Sequence, residues 1–582
     1  MNDTLDDPVV HPRPQLTRAG WTDLSGEWGF GHDDADVGRA ENWQRDPKPF
    51  DRTIVVPYPP ESKLSGVNES GFHPVVWYRR GFTAPALDVG ERLLVHFGAV
   101  DYRASVWLNG QHLGQHEGGH TPFSFDVTNA LDPDAAEQIL TVRAEDRADD
   151  GGQPRGKQDW ELEPHGIWYE RTTGIWQPVW LERVPDTYLA ELQWTPDVTA
   201  ARVRMEIRLN QVPTRPLTVR ARLRLGSEVL AEQTVRVTGD GVDCDIALPL
   251  LGHNMWRNRL LWSPESPTLI DADVTVLDDE DAVDEVTSYL GLRSVGYGDG
   301  RFTLNGKPYY LRLVLEQGYW PESHLAAPNA EALRREVELI KDLGFNGARI
   351  HQKVEDPRFL YWCDRLGLLI WGEMANAYQF SDRAVRQLAT EWQQVVRRDR
   401  SHPCVVTWVP LNESWGVVDI ASQPAQRHYA TALYHLTKAL DPTRPVISND
   451  GWEHTESDIW GVHDYAPVGE SLATRWADPE QVRRMLTSVG PGRKRVVLGE
   501  PEWRGKPVVL TEFGGLSYAP EAGQKWFGYG TVETEDEFLE LFTELVAAIA
   551  DSRELAGFCY TQLTDTLQER NGLLDEHRNP KL

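Results

Sequence analysis

The hydrophobic periodicity of this chain changes after Gly296, and that change constrains the fold more than any other feature. Beyond it, short apolar runs alternate with helical stretches: YYLRLV (309–314), FNGARIH (345–351), LLIWGEM (368–374), CVVTWVPLN (404–412), PVISND (445–450), IWGVHDY (459–465), PVVLTE (507–512) and GFCYTQL (557–563). In AEALRREVELIKDLG (330–344), Leu333, Val337 and Ile340 recur at helical spacing, and Gly344 stands where a helix would end. Eight β/α units in fewer than about 290 residues predict a TIM (β/α)8 barrel over 297–582.

Before Gly296 the pattern is all strand. From Trp21 to Arg183, alternating runs such as TIVVPYP (53–59), VVWYRRGF (75–82) and RLLVHFGAV (92–100) are divided by turn residues, which predicts a β-sandwich over 12–183. Asn109-Gly110 marks a two-residue hairpin, because both turn positions need positive φ. Over 184–296 the alternation is cleaner, with Val203/Met205/Ile207/Leu209 on one face, and predicts an immunoglobulin-like β-sandwich.

Two barrel runs end in a carboxylate, VVTWVPLNE at Glu413 and KPVVLTE at Glu512. A strand that carries an acid at its C-terminal end aims it into the barrel mouth. Hydrolysis of a glycosidic bond needs one carboxyl group to protonate the leaving oxygen and another to meet the charge at the anomeric carbon. Glu413 and Glu512 are therefore the expected catalytic pair, one as acid/base and the other as nucleophile. Other strand ends supply further candidates: Arg349 and His351, Glu373, Asn412, and His463 with Tyr465. Arg349 either holds Glu512 ionised or forms a structural pair with Glu373 beneath the site. Trp320 and Trp415 are candidate sugar platforms, with core packing as the alternative.

The flanking residues resemble glycoside hydrolase family 2, the β-galactosidase, β-glucuronidase and β-mannosidase family. RRDRSHPCVVTWVPLNESWG (397–416) is similar to its acid/base motif and KPVVLTEFGG (506–515) to its nucleophile motif. LSGEWGF (24–30), VDYRASVWLNGQHLGQHEGGHTPFSFDVT (100–128) and GIWQPVWLE (174–182) resemble its N-terminal jelly-roll domain, and LLWSPESPTLIDADVTV (260–276) the end of its central sandwich. The resemblance implies a retaining exo-β-glycosidase, with Asn412 on the sugar 2-hydroxyl and Tyr465 against the nucleophile.

Three departures bear on the sugar. RLVLEQGYWPES (312–323) replaces a His-rich segment after the first strand, YTQLTD (560–565) lacks the usual Trp, and Asn571-Gly572-Leu573 stands where glucuronidases carry Asn-x-Lys. Without that lysine a uronate would bury an unpaired charge. The expected substrate is thus a neutral β-galactoside, pyranose or furanose. An α-L-arabinosidase and a catalytically inactive carbohydrate-binding protein stay open as alternatives.

A net charge of −30 argues against nucleic acid and anionic membranes as partners. No phosphate-cradling or metal-binding motif is present, so no cofactor is expected. Residues 1–20 lack a basic start followed by an apolar core, and the four cysteines are scattered singly, which together predict a cytoplasmic protein with reduced thiols. A homo-oligomer stays open. The eighth strand is followed by RNGLLDEHRNPKL (570–582) where the family continues into an outer helix, so either the sequence is truncated there or the barrel is expected to close with an abbreviated last unit.

Overall fold

The computed structural model describes residues 11–499, 505–518 and 528–581. Its N-terminal sandwich stacks a six-stranded sheet on a four-stranded one. In the larger sheet Arg103–Leu108 pairs with Gln111–Glu117 through Asn109 (φ 52°) and Gly110 (φ 77°), the positive-φ pair that the hairpin requires. Trp28, Phe30, Val76, Tyr78, Val95 and Val106 fill the space between the sheets.

The second sandwich packs a three-stranded sheet, Leu189–Asp197, Arg202–Leu209 and Gly241–Ala247, on a four-stranded one. Val203, Met205, Ile207 and Leu209 point into its core while the intervening arginines face solvent, as period-2 alternation dictates.

The barrel follows the strand order 4-3-2-1-8-7-6, namely Val405–Val409, Leu369–Glu373, Gly347–Ile350, Leu311–Glu316, Leu555–Thr561, Val508–Gly514 and Trp460–His463, all parallel. The fifth strand expected at 445–450 forms no continuous ladder. Its backbone instead makes isolated parallel bridges, Trp408 to Val446 and Asn412 to Asp450, while Ile447 turns its other edge to Ser457 in an antiparallel bridge. The irregular path brings Asp450 under the mouth, where its N–H donates to Leu411 O (2.9 Å) and its carbonyl accepts from Glu413 N–H (2.9 Å). Helix Ala330–Asp342 is capped by Asn329, whose side chain accepts from Ala332 N–H, and buries Leu333, Val337 and Ile340 against the strands. Beyond the last strand, residues 562–581 form turns and bridges rather than a helix.

No described helix is long and apolar enough to cross a membrane. Cys244, Cys363, Cys404 and Cys559 are all free thiols.

Candidate active site

Arg349 organises the barrel mouth. It ends the second strand, is fully buried, and spreads its guanidinium over four side chains: Glu373 Oε2 (Nε, 2.8 Å), Asp450 Oδ2 (Nε, 3.2 Å), Glu512 Oε1 (Nη1, 2.8 Å) and Asn412 Oδ1 (Nη2, 2.6 Å). The pair with Glu373 and the contact with Glu512 thus exist together. Burial would lower the Arg349 pKa, but Glu373, Asp450 and Glu512 outweigh it and raise it well above its ordinary value. Burial pushes the Glu373 carboxyl the other way, up to about 7, against Arg349.

Both oxygens of Glu512 are engaged. Arg349 holds one and the Tyr465 hydroxyl donates to the other at 2.6 Å. The Tyr465 ring is stacked on Tyr529, centroids 3.4 Å apart, so its hydroxyl cannot swing away without breaking that stack. Glu512 lies inside the strand Val508–Gly514, on rigid backbone.

Glu413 sits four residues beyond its strand, at φ 51°, with Ser414 at φ 61°. Two consecutive non-glycine residues in the left-handed region are uncommon, and such backbone strain is concentrated at functional sites. Ser414 N–H donates to Asn449 Oδ1 (2.9 Å) and its hydroxyl to Glu453 (2.5 Å), bonds that hold the turn. The Glu413 side chain is 17% exposed against 6% for Glu512, so it is the more open of the two carboxylates.

His463 links them. Its Nδ1 is 2.7 Å from Glu413 Oε1, and its Nε2 is 3.4 Å from Glu512 Oε1 and 3.6 Å from Asp450 Oδ2. Burial alone would lower its pKa, but Glu512, Asp450 and Glu413 together push it up to about 10. Burial likewise would raise Glu413, yet the hydrogen bond and charge of His463 hold that carboxyl below its usual value. His351, by contrast, is driven well below its ordinary pKa by burial and by Arg349, and its Nδ1 lies 3.1 Å from Glu373.

Asn412 is fixed from both ends, its N–H donating to Asn376 Oδ1 (3.0 Å) and its Oδ1 accepting from Arg349. Trp415 packs edge-on against Trp168 (5.6 Å) and tilted against Tyr378 (5.1 Å) beside Glu413. Trp320 is not part of this group. The guanidinium of Arg578 lies 3.6 Å from its ring centroid and covers that face, and the small cleft beside it is lined by Glu170, Tyr319, His324, Asp565 and Leu567 among others and by none of the residues gathered around Arg349, so the sugar-platform expectation for Trp320 is corrected. The sequence reading passed over Asp450, Tyr529, Tyr378 and Trp168.

Donor atoms of Glu413, His463 and Glu512 lie within 4.8 Å of one another, close enough to share a cation. A metal there would have to displace the proton that His463 holds so firmly, so the trio is better suited to moving protons than to binding an ion. His32, Glu69 and His73 form a second such group on the jelly-roll, but Arg52 already pairs with Glu69 at 2.7 Å.

Two consequences follow for stability. Arg349→Met leaves three carboxylates without their cation and is expected to destabilise the barrel by about 3–5 kcal/mol; an unchanged thermal midpoint would refute the keystone role. His463 has a folded pKa above its unfolded value of about 6.5. Its contribution is therefore complete below about pH 6.5 and lost as pH rises through about 10. The thermal midpoint of the wild type should fall more steeply between pH 7 and 10 than that of His463→Gln; parallel curves would contradict the assignment.

Comparison with known proteins agrees with this architecture. Residues 295–519 match the model described as glycosyl hydrolases family 2, TIM barrel domain, residues 21–163 its sugar binding domain and residues 187–293 its central family 2 segment. A β-galactosidase of Thermoanaerobacter pseudethanolicus is 28% identical over 390 residues, 65% of this chain and 49% of that protein, so the match spans about half of that relative's length. A β-glucuronidase of Canis lupus familiaris is 26% identical over 491 residues, 77% of this chain and 71% of its own. Among solved structures, a β-galacturonidase from Eisenbergiella tayi superimposes with a TM-score of 0.74 over 99% of this chain and 96% of its own, at 20% identity, a likeness of fold. All three segments being matched by models of one family, the chain belongs to glycoside hydrolase family 2.

Proposed function

We propose that the chain is a retaining exo-β-glycosidase in which Glu512 is the nucleophile and Glu413 the acid/base. The observation that carries this reading is the close approach of the two carboxylates, one oxygen of each lying within 4.8 Å of the other and both beside His463, which favours the shorter of the two separations that glycosidases use. Inverting enzymes need about 6.5–9.5 Å to seat a water between their carboxyl groups, whereas retaining ones work at about 5–5.5 Å. In the first step Glu512 attacks the anomeric carbon while a proton passes to the leaving oxygen through Glu413. His463, with Nδ1 2.7 Å from Glu413 and its pKa raised by the surrounding carboxylates, is the group able to supply that proton. In the second step Glu413 takes a proton from water, which releases the sugar from Glu512. Asn412 is positioned for the sugar 2-hydroxyl, and Trp415 with Trp168 and Tyr378 borders the leaving group.

The barrel of 297–582 carries this chemistry, with 12–183 as the sugar-binding-like sandwich and 184–296 as a spacer. A cytoplasmic setting with reduced thiols belongs to the same reading. The finer reading is a terminal galacto-configured sugar, in keeping with the β-galactosidase among the relatives, although others carry the name β-glucuronidase. Proton NMR of the first product from an aryl β-galactoside or β-hexuronide tests the mechanism: the β-anomer should appear first and then mutarotate. Initial release of the α-anomer would overturn it.

A further inference from the structure

Lys157, a residue of the jelly-roll sandwich, is buried in the barrel mouth without an anion. It is 5% exposed, and among the described residues its ammonium takes part in no ion pair and no hydrogen bond. Its Nζ lies 5.6 Å from the centroid of the Tyr169 ring. Lys353, equally buried, shows the ordinary arrangement: it donates to two carbonyls and pairs with Glu355 at 2.6 Å. An ammonium on a side chain so enclosed, with no close counter-ion, gains a charge-assisted partner when an anion arrives.

The backbone around Lys157 is locked to the catalytic barrel. The N–H groups of Arg155 and Gly156 both donate to Asn376 O at 3.1 Å, and Asn376 in turn holds Asn412. Gly156 has φ +62°, and any Cβ there would run into the Gln352 carbonyl, so this close docking requires glycine. Lys157 O accepts from Tyr169 N–H at 2.8 Å, and the Tyr169 hydroxyl donates to Glu569.

Glu569 and Asn571 follow the eighth strand, which stands opposite the fourth in the barrel order. Glu413 and the rings beside it mark the leaving-group side, so Glu569 and Asn571 face the non-reducing side, where the C5 substituent of a terminal sugar would point. Burial raises the Glu569 carboxyl and Lys157 is the largest influence against it, which makes Glu569 a poor permanent counter-ion. Asn571 is fully buried beside it; its amide favours the Glu569 carboxylate, and among the described residues neither its side-chain nitrogen nor its oxygen makes a hydrogen bond of ordinary geometry. Two polar groups on this side are thus left waiting for a ligand, one of them cationic.

We propose that Lys157 is a specificity-determining residue that receives the carboxylate of a terminal hexuronic acid, with the Asn571 amide as a second donor. The inference rests on the glycosidase reading and replaces the neutral sugar expected from Leu573, which packs at the edge of the apolar cluster of Phe513 and Tyr560. The cation comes from another domain instead of the barrel loop. The other nearby cations are taken: Arg578 pairs with Glu336 at 3.0 Å and covers Trp320, and Arg570 pairs with Glu576 at 3.4 Å. The site also needs such a cation. Glu373, Asp450, Glu413 and Glu512 outnumber Arg349 and His463, the two cations they pair with among the described residues, and Lys157 is a further cation that acts on Glu413, so without it an anionic sugar would meet a net negative mouth.

The test compares kcat/KM for nitrophenyl β-D-galacturonide, β-D-glucuronide, β-D-galactoside and β-D-glucoside in the wild type, Lys157→Met and Lys157→Arg. One of the two uronides should be the better wild-type substrate than its neutral counterpart. The uronide-to-neutral ratio should fall about 10- to 150-fold in Lys157→Met, the loss of a charge-assisted contact, and recover in part in Lys157→Arg. A ratio measured within one preparation is insensitive to the fraction of folded enzyme. A ratio that moves less than about threefold, or a wild type that turns over only the neutral sugars, overturns the inference while leaving the glycosidase reading intact. Should no glycoside be turned over, the glycosidase reading fails, and calorimetric binding of free D-galacturonate and D-glucuronate still decides: binding lost in Lys157→Met supports the inference, and no binding to the wild type overturns it.

Discussion

Replacing Glu512 by alanine is expected to remove turnover of every glycoside, by about 10^5-fold or more in kcat. The methyl group leaves no atom that can bond to the anomeric carbon, and Arg349 and Tyr465, which hold the two oxygens of Glu512, lose their partner in the site. Water cannot take over, because the acid/base lies on the opposite face of the sugar from the vacated position. A small anion can: azide should enter the cavity, attack from the nucleophile's side and yield the glycosyl azide of inverted configuration. Glu512→Asp should be nearly as inactive as the alanine variant, since a carboxylate withdrawn by one methylene falls short of bonding distance. Near wild-type rates in Glu512→Ala would sink the nucleophile assignment, and with it the double-displacement mechanism.

The parts of this molecule that were legible in its sequence are those where strand periodicity and a strand-end polar residue coincide. Glu413, Glu512, Arg349, Asn412, His463 and Tyr465 all follow apolar runs, and the barrel order gathers them because parallel strands deliver their C-terminal ends to one rim. The alternation of Val203, Met205, Ile207 and Leu209 was equally plain. What escaped lies where no period operates. Asp450 ends the run PVISND and was readable in principle, but its segment bonds through isolated bridges. Trp320 follows the first strand, yet position after a strand does not fix aim, and Arg578, far along the chain, covers it. Lys157 and Trp168 belong to an irregular loop of another domain, and only the docking of Gly156 against Gln352 and Asn376 brings them to the mouth. Sequence spacing carries no record of such a contact.

Glu413→Ala should separate the two chemical steps, because its effect depends on how much help the leaving group needs. A dinitrophenolate leaves without a proton, so formation of the glycosyl-enzyme from a dinitrophenyl glycoside should stay close to the wild-type rate. An alkyl or sugar leaving group needs protonation, and its departure should slow by about 10^2- to 10^4-fold. The second step lacks its base with either substrate. The intermediate on Glu512 should therefore accumulate from the activated glycoside, visible as a burst of dinitrophenolate followed by a slow steady state and a lowered KM. Azide needs no deprotonation and should accelerate that steady state, with a product of retained configuration, the opposite of the outcome with Glu512→Ala. The variant also frees His463 of its 2.7 Å partner, so the histidine pKa should drop from about 10 while Asp450 and Glu512 keep it partly raised. Equal losses on dinitrophenyl and alkyl glycosides, with no burst and no response to azide, would show that Glu413 serves the structure of the mouth and not the transfer of the proton.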